Sequence, residues 1–144
     1  MSKPQKKETP KVEKMIHVSG KRKRAVARAT IRAGKGVIRI NSVPLDVMQP
    51  RYAKMIVQEA VELAGDAAKG VDITIQATGG GVMGQAQAIA LTIAKGLVQW
   101  TDSDELRKLY DFYDKNLLVA DSRQREPNKP GPSSARTSAQ KSKR

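Results

Sequence analysis

The chain has 144 residues, no cysteine, and 27 Lys or Arg against 14 Asp or Glu, a formal net charge of +13. The missing cysteines exclude disulfides, thiol nucleophiles and Cys-ligated zinc, and a single histidine, His17, excludes a histidine metal cluster. No stretch approaches the roughly 20 apolar residues of a transmembrane helix, and the opening MSKPQKKETPKVEK lacks the apolar core of a signal peptide, so a cytoplasmic location is expected.

The charge is unevenly placed. Residues 1–28 hold 10 Lys or Arg against 2 acids, and residues 121–144 hold 7 against 2, while the middle of the chain is balanced. A neutral body with two cationic ends suits a polyanion-binding protein, because Lys and Arg that neutralise phosphates release condensed counterions. An apolar fraction of 39% supports one modest core rather than a chain folded along its whole length. The expected organisation is a disordered basic extension over residues 1–14, a globular domain over 15–120 and an extended basic arm over 121–144.

In chain order, residues 1–14 carry almost nothing apolar. Order is expected from Met15. From Arg22 the sequence alternates, with Ala25, Ala27, Ala29, Ile31 and Ala33 on one face and Arg22, Arg24, Val26, Arg28, Thr30 and Arg32 on the other, a strand with one cationic side. Gly34-Lys35-Gly36 reads as a hairpin loop and Val37–Ile40 as the return strand. Asn41–Pro50 reads as a loop. A helix is expected from Arg51 to Ala64, with Tyr52, Met55, Ile56, Ala60 and Leu63 as its buried stripe and Gly65 as its stop. Val71–Thr78 alternates as a strand with Val71, Ile73, Ile75 and Ala77 inward. A glycine turn then leads into a mostly buried helix from Gln85 to Trp100, whose only charge is Lys95. A short helix follows, capped by Asp102 or Ser103, with Tyr110, Phe112 and Tyr113 packing its end on the body. Beyond Asp121 the prolines and Gly131 stop regular structure. The fold class is α+β: a small mixed sheet packed with helices.

Gly79, Gly81 and Gly84 match the spacing GxGxxG between a strand and a helix. A dinucleotide fold also needs several βαβ units and an acid ending a second strand, whereas Asp102 and Asp104 begin a helix. In the related GxxxxGK[ST] pattern the phosphate-binding positions are Gln85 and Ala86. The glycines therefore read as a tight strand-to-helix turn requiring positive φ and close backbone approach, and Gly79, Gly80, Gly81 and Gly84 are candidates for receiving an RNA phosphate on that turn. Lys21, Arg22, Lys23, Arg24, Arg28 and Arg32 are candidate phosphate contacts. Aromatics make up 3% of the chain and none lies in either tail, which favours reading the backbone and shape of folded RNA over base stacking. No acid/base pair stands out, no cofactor is expected, and the chain reads as a binder rather than an enzyme. The alternative is a nonspecific nucleic-acid-binding chaperone, which would share the basic tails.

The strings GKRKRAVARA (Gly20–Ala29), GKGVIRIN (Gly34–Asn41), TGGGVMGQAQAIA (Thr78–Ala90), ADSRQREPNKPG (Ala120–Gly131) and the terminal QKSKR occur in an order that resembles the universal small-subunit ribosomal protein nine family, in an archaeal-like form. The resemblance implies an α/β domain like the second domain of small-subunit ribosomal protein five, lodged in the head of the small subunit beside neighbouring head proteins. It also implies a C-terminal arm that threads ribosomal RNA toward transfer RNA in the P site. Carried over by position, Arg123, Arg125, Lys129 and Arg136 would line the RNA path, and Lys141, Lys143 and Arg144 would touch the transfer RNA. The chain departs from the pattern at Pro132-Ser133-Ser134 and at Lys143, where the archaeal form has tyrosine.

Overall fold

The computed structural model of the chain describes residues 14–131 and 133–138. Five strands, β1 (Met15–Arg22), β2 (Ala25–Ala33), β3 (Ile38–Ile40), β4 (Val43–Pro44) and β5 (Val71–Thr78), form one sheet in the order β1-β2-β5-β3-β4. All neighbours are antiparallel except β3 and β5. The helices are α1 (Arg51–Ala64), α2 (Asp66–Lys69), α3 (Val82–Thr101) and α4 (Asp104–Tyr113). The expected α+β class is the observed one.

Alternation dictates the sheet's two faces. On β2 the even-spaced Ala25, Ala27, Ala29 and Ile31 are buried, as are Val71, Ile73, Ile75 and Ala77 opposite them on β5. The other face stays open and polar, with Arg28, Arg32, Arg39, Thr74 and Gln76 exposed. The helices cover the first face. There α3 lies on β1 and β2, and its small residues allow close approach: a Cβ on Gly96 would sit 2.2 Å from Ile31 Cδ1, and one on Gly20 of β1 would sit 2.4 Å from Thr92 Oγ1. Tyr110 of α4 is fully buried and its hydroxyl donates to the Ala60 carbonyl at 2.6 Å, satisfying the one polar atom that such burial would otherwise strand. Burial pushes the Tyr110 phenol's pKa up.

Four expectations are corrected. First, the alternating run is not one strand from Arg22: Lys23 takes a left-handed φ of 55° and, with Arg24, turns β1 into β2, pairing Arg22 with Ala25. Arg22 therefore points to the helix side of the sheet, away from Arg28 and Arg32. Second, Val37–Ile40 does not return along β2, because β5 occupies that edge and β3 pairs in parallel with β5. The Gly34–Gly36 loop instead closes over the start of β5. Asp72 Oδ1 accepts the N–H groups of Lys35 and Val37 at 2.8 and 3.0 Å, and these bonds, that of Val37 foremost, hold the carboxyl below its ordinary pKa.

Third, α1 buries Ala53, Val57 and Ala64 together with the expected Ala60, keeps Ile56 and Leu63 only partly buried, and leaves Tyr52 and Met55 exposed. The surface facing α3 is made of small side chains on both helices, so the small stripe is the one that fits. Fourth, of the aromatics at the end of α4 only Tyr110 packs inward; Phe112 is 96% exposed. Within Asn41–Pro50 the chain also forms β4 and a 3-10 turn at Leu45–Val47.

Candidate nucleic-acid interface

Three segments far apart in sequence meet at one end of the sheet. The first is the turn between β1 and β2, where Lys23 and Arg24 are exposed. The second is the glycine turn after β5: Gly79 and Gly80 have φ of 73° and 64°, and added Cβ atoms would lie 2.6 Å from the Arg24 carbonyl oxygen and 2.8 Å from the Ala25 nitrogen. The expected tight turn with close backbone approach is thus present, and what it approaches is the cationic hairpin turn. Gly81 then caps α3 without any side-chain hydrogen bond, leaving first-turn N–H groups at the positive end of a 20-residue helix.

The third segment is the start of the C-terminal tail. Asp121 sits between two guanidinium groups, 2.7 Å from Arg123 Nη2 and 3.0 Å from Arg22 Nη2. Arg22 also donates to the Arg123 carbonyl at 3.2 Å and to Gln87 Oε1 of α3 at 3.1 Å. The Arg22 and Asp121 side chains are only 16% and 11% exposed, so this clamp is partly shielded from water. Hydrogen bonds from Arg123, and its charge together with that of Arg22, hold the Asp121 carboxyl at about 2, below the ordinary 3.8. Between the three segments lies a cleft of about 800 Å³ lined by Lys23, Arg24, Gly80, Met83, Gln124 and Arg125 among others.

The clamp has a pH signature. A depressed folded-state pKa means that the clamp's contribution is complete above about pH 4 and is lost as pH falls through about 2. Following the Asp121 carboxyl by NMR should show its midpoint near 2. Arg123→Ala should raise that midpoint further than Arg22→Ala does; a midpoint at the ordinary value in the intact chain would show that the clamp does not form.

Among the described residues, those expected to bind RNA fall into four places. Lys23, Arg24, Gly80, Gly81, Gly84 and Arg125 line the cleft, with Gly79 directly behind it. Arg28 and Arg32 lie on the open sheet face with Lys21, Arg39 and His17, whose Nδ1 is 3.1 Å from Thr30 Oγ1. Arg22 and Arg123 are engaged in the clamp. Farther along the tail Lys129 is exposed, and Arg136 is paired with Glu126, Nε to Oε2 at 2.9 Å. Lys141, Lys143 and Arg144 lie outside the described residues. Sequence reasoning missed Asp121, Gln87 and Gln124. The spacing Asp121-x-Arg123 was the available signal for the first of these, since a carboxylate two residues before an arginine can accept both its backbone and side-chain donors, as it does here.

An α+β body that brings cationic side chains, bare glycine backbone and a helix start around one cleft has the architecture of a polyanion-binding module. The family model for ribosomal protein S9/S16 matches residues 20–144. The small ribosomal subunit protein uS9 of Methanothrix thermoacetophila is 47% identical over 131 residues, covering 91% of this chain and 99% of that protein. Those of Desulfurococcus amylolyticus and Methanococcus maripaludis are 47% and 43% identical over 91% and 90% of the chain, and 94% and 97% of their own lengths. The chain belongs to the ribosomal protein S9 family, and so is a structural, RNA-binding constituent of the small ribosomal subunit in the cytoplasm.

Proposed function

We propose that the chain binds small-subunit ribosomal RNA chiefly at the cleft and steadies P-site transfer RNA with the tip of its C-terminal arm. The convergence of Lys23, Arg24, the α3 start and Arg125 on one cleft carries the reading. Each supplies a donor suited to phosphate oxygen, and together they make a site of fixed shape rather than a diffuse charge. The glycine turn receives a backbone phosphate on its N–H groups. Lys21, Arg28 and Arg32 contact RNA across the open sheet face, a second surface whose hydroxyl and amide groups suit the 2′-hydroxyls of an RNA minor groove.

Arg22 and Arg123 act mainly by positioning. The clamp sets where the arm over residues 121–144 leaves the body, and Arg125, Lys129 and Arg136 then follow the RNA path. Fully extended, those 24 residues span up to about 80 Å at ~3.3 Å each, so Lys141, Lys143 and Arg144 can work at a site remote from the domain. Docked against the small-subunit head, the protein also meets neighbouring head proteins.

The test is the salt dependence of binding to a ribosomal RNA fragment. Replacing Lys23, Arg24 and Arg125 together by alanine should reduce the magnitude of the slope of log K against log salt by about 2 to 3, since each phosphate contributes roughly 0.7 to 0.9. An unchanged slope would move the interface elsewhere. Equal competition by duplex DNA would favour a nonspecific nucleic-acid chaperone.

A further inference from the structure

The chain has one Trp, three Tyr and one Phe, and three of these five aromatics are exposed on α1 and α4: Tyr52 at 74%, Phe112 at 96% and Tyr113 at 53%. Beside them Met55 is 54% and Leu109 is 44% exposed. On α4, Leu109, Phe112 and Tyr113 follow the i, i+3, i+4 spacing of one helix face, and on α1 Tyr52, Met55 and Ile56 do the same. Tyr113 links the two faces by donating its hydroxyl to Glu59 of α1. Between the helices runs a groove of about 640 Å³ whose walls include Met55, Ile56, Leu63 and Tyr113 and whose polar groups include Glu59 and Glu62. Isolated exposed apolar residues need no explanation, but a run of large ones on two adjacent helix faces marks an interaction surface.

The charged side chains that line the groove are acidic, although α1 also carries Arg51 and Lys54 and α4 Arg107 and Lys108. Glu59 and Glu62 lie in the groove, and Asp111 and Asp114 flank the exposed aromatics on α4, in a chain whose net charge is +13. Carboxylates repel an RNA backbone, and large aliphatic and aromatic side chains have no phosphate to contact. We infer that the α1–α4 groove is a protein-docking site whose occupant is a basic, apolar-bearing segment of a neighbouring small-subunit protein. Lys or Arg of that segment meet Glu59 and Glu62, and its apolar side chains cover Met55, Phe112 and Tyr113. This rests on membership of the ribosomal family and not on the RNA cleft, and it assigns the two ends of the molecule opposite partners: RNA at the glycine turn and protein at the helix pair.

A benzoylphenylalanine probe placed at Phe112 of the full chain, in purified assembled small subunits, tests the assignment. A second probe at Arg28 on the open sheet face serves as the RNA-facing control. Irradiation should give a nuclease-resistant adduct at 112 whose partner peptide carries Lys or Arg, and a nuclease-sensitive adduct at 28. Glu62→Lys should lower the yield at 112 about fivefold, the scale of one favourable surface ion pair. A nuclease-sensitive adduct at 112, an adduct to this chain's own residues, or no adduct where position 28 reacts would each overturn the inference. A protein adduct with unchanged yield in Glu62→Lys would overturn the choice of a basic segment. An adduct at 112 with none at 28 would leave the groove assignment standing and count against RNA on the sheet face instead.

Discussion

Removing Lys141 through Arg144 is expected to lower retention of P-site transfer RNA on purified small subunits by about tenfold or more while subunits still assemble. Lys141, Lys143 and Arg144 are three of the seven cations between residues 121 and 144. Hydrogen bonds to charged groups contribute roughly 1.5–3 kcal/mol each, so loss of even one well-made contact reaches that factor. Assembly should survive because the proposed ribosomal RNA contacts lie on the body and the first part of the tail. Arg144→Lys separates charge from geometry: a planar guanidinium can hold a phosphate by two parallel bonds, and an ammonium cannot. If Arg144→Lys binds as well as the intact chain, the tip acts only as a charge. Arg22→Ala offers the complementary comparison, since it leaves every tail cation in place but loosens the anchor at Asp121. Its effect should be smaller, about twofold to fivefold, reflecting lost preorganisation and not lost contact. Filter retention of labelled transfer RNA measures all three; unchanged retention after the deletion would refute the arm's role.

The elements whose signal is local were legible in the sequence. Val71–Thr78 shows clean alternation, and α1 lies between Pro50 and Gly65, residues that start and stop helices, so both spans agree with the structure. The pairing of β3 was not legible, because alternation identifies a strand and not its neighbour. Gly34-Lys35-Gly36 has the composition of a hairpin loop, yet the loop is held by Asp72, far along the chain. The buried face of α1 was legible only in part, at Ala60, for a related reason: the face is chosen by α3, which offers alanines and needs small partners. For the candidate site, the residue types in the cleft could be picked out one by one. Their meeting could not, because it depends on a turn at Lys23 and Arg24 that the even spacing of Arg22, Arg24 and Arg28 conceals. It depends as well on Asp121, which in the sequence is one acid in a basic tail.

The contact between β1 and α3 is tight enough that Gly20→Val should cost about 3 kcal/mol, the upper part of the range for overpacking a core. An added Cβ would lie 2.4 Å from Thr92 Oγ1, 2.7 Å from the Ala88 carbonyl oxygen and 3.2 Å from Leu91 Cδ2. The Thr92 hydroxyl is already committed, donating to that same Ala88 carbonyl at 2.6 Å. Because the carbonyl belongs to helix backbone, relief requires β1 or α3 to move as a unit. For a domain of this size the loss should appear as a melting temperature lowered by about 10 °C. Gly81→Ala is the control, since no atom of the described residues lies within 4 Å of its added Cβ, and its effect should stay within about 1 kcal/mol, the scale of replacing a favoured N-cap by alanine. Adding Thr92→Ala to Gly20→Ala should recover part of the loss but not all, as the Ala88 carbonyl remains. The consequence extends past stability. Gly20 precedes Arg22 by two residues on β1, while Gln87, which Arg22 grips, sits next to Ala88 on α3. Separating β1 from α3 therefore pulls the clamp apart from both sides. In Gly20→Ala, limited proteolysis near Arg123 and Arg125 should accelerate at temperatures where the body is still folded; cleavage that begins only with global unfolding would mean that the clamp and the β1–α3 contact are independent.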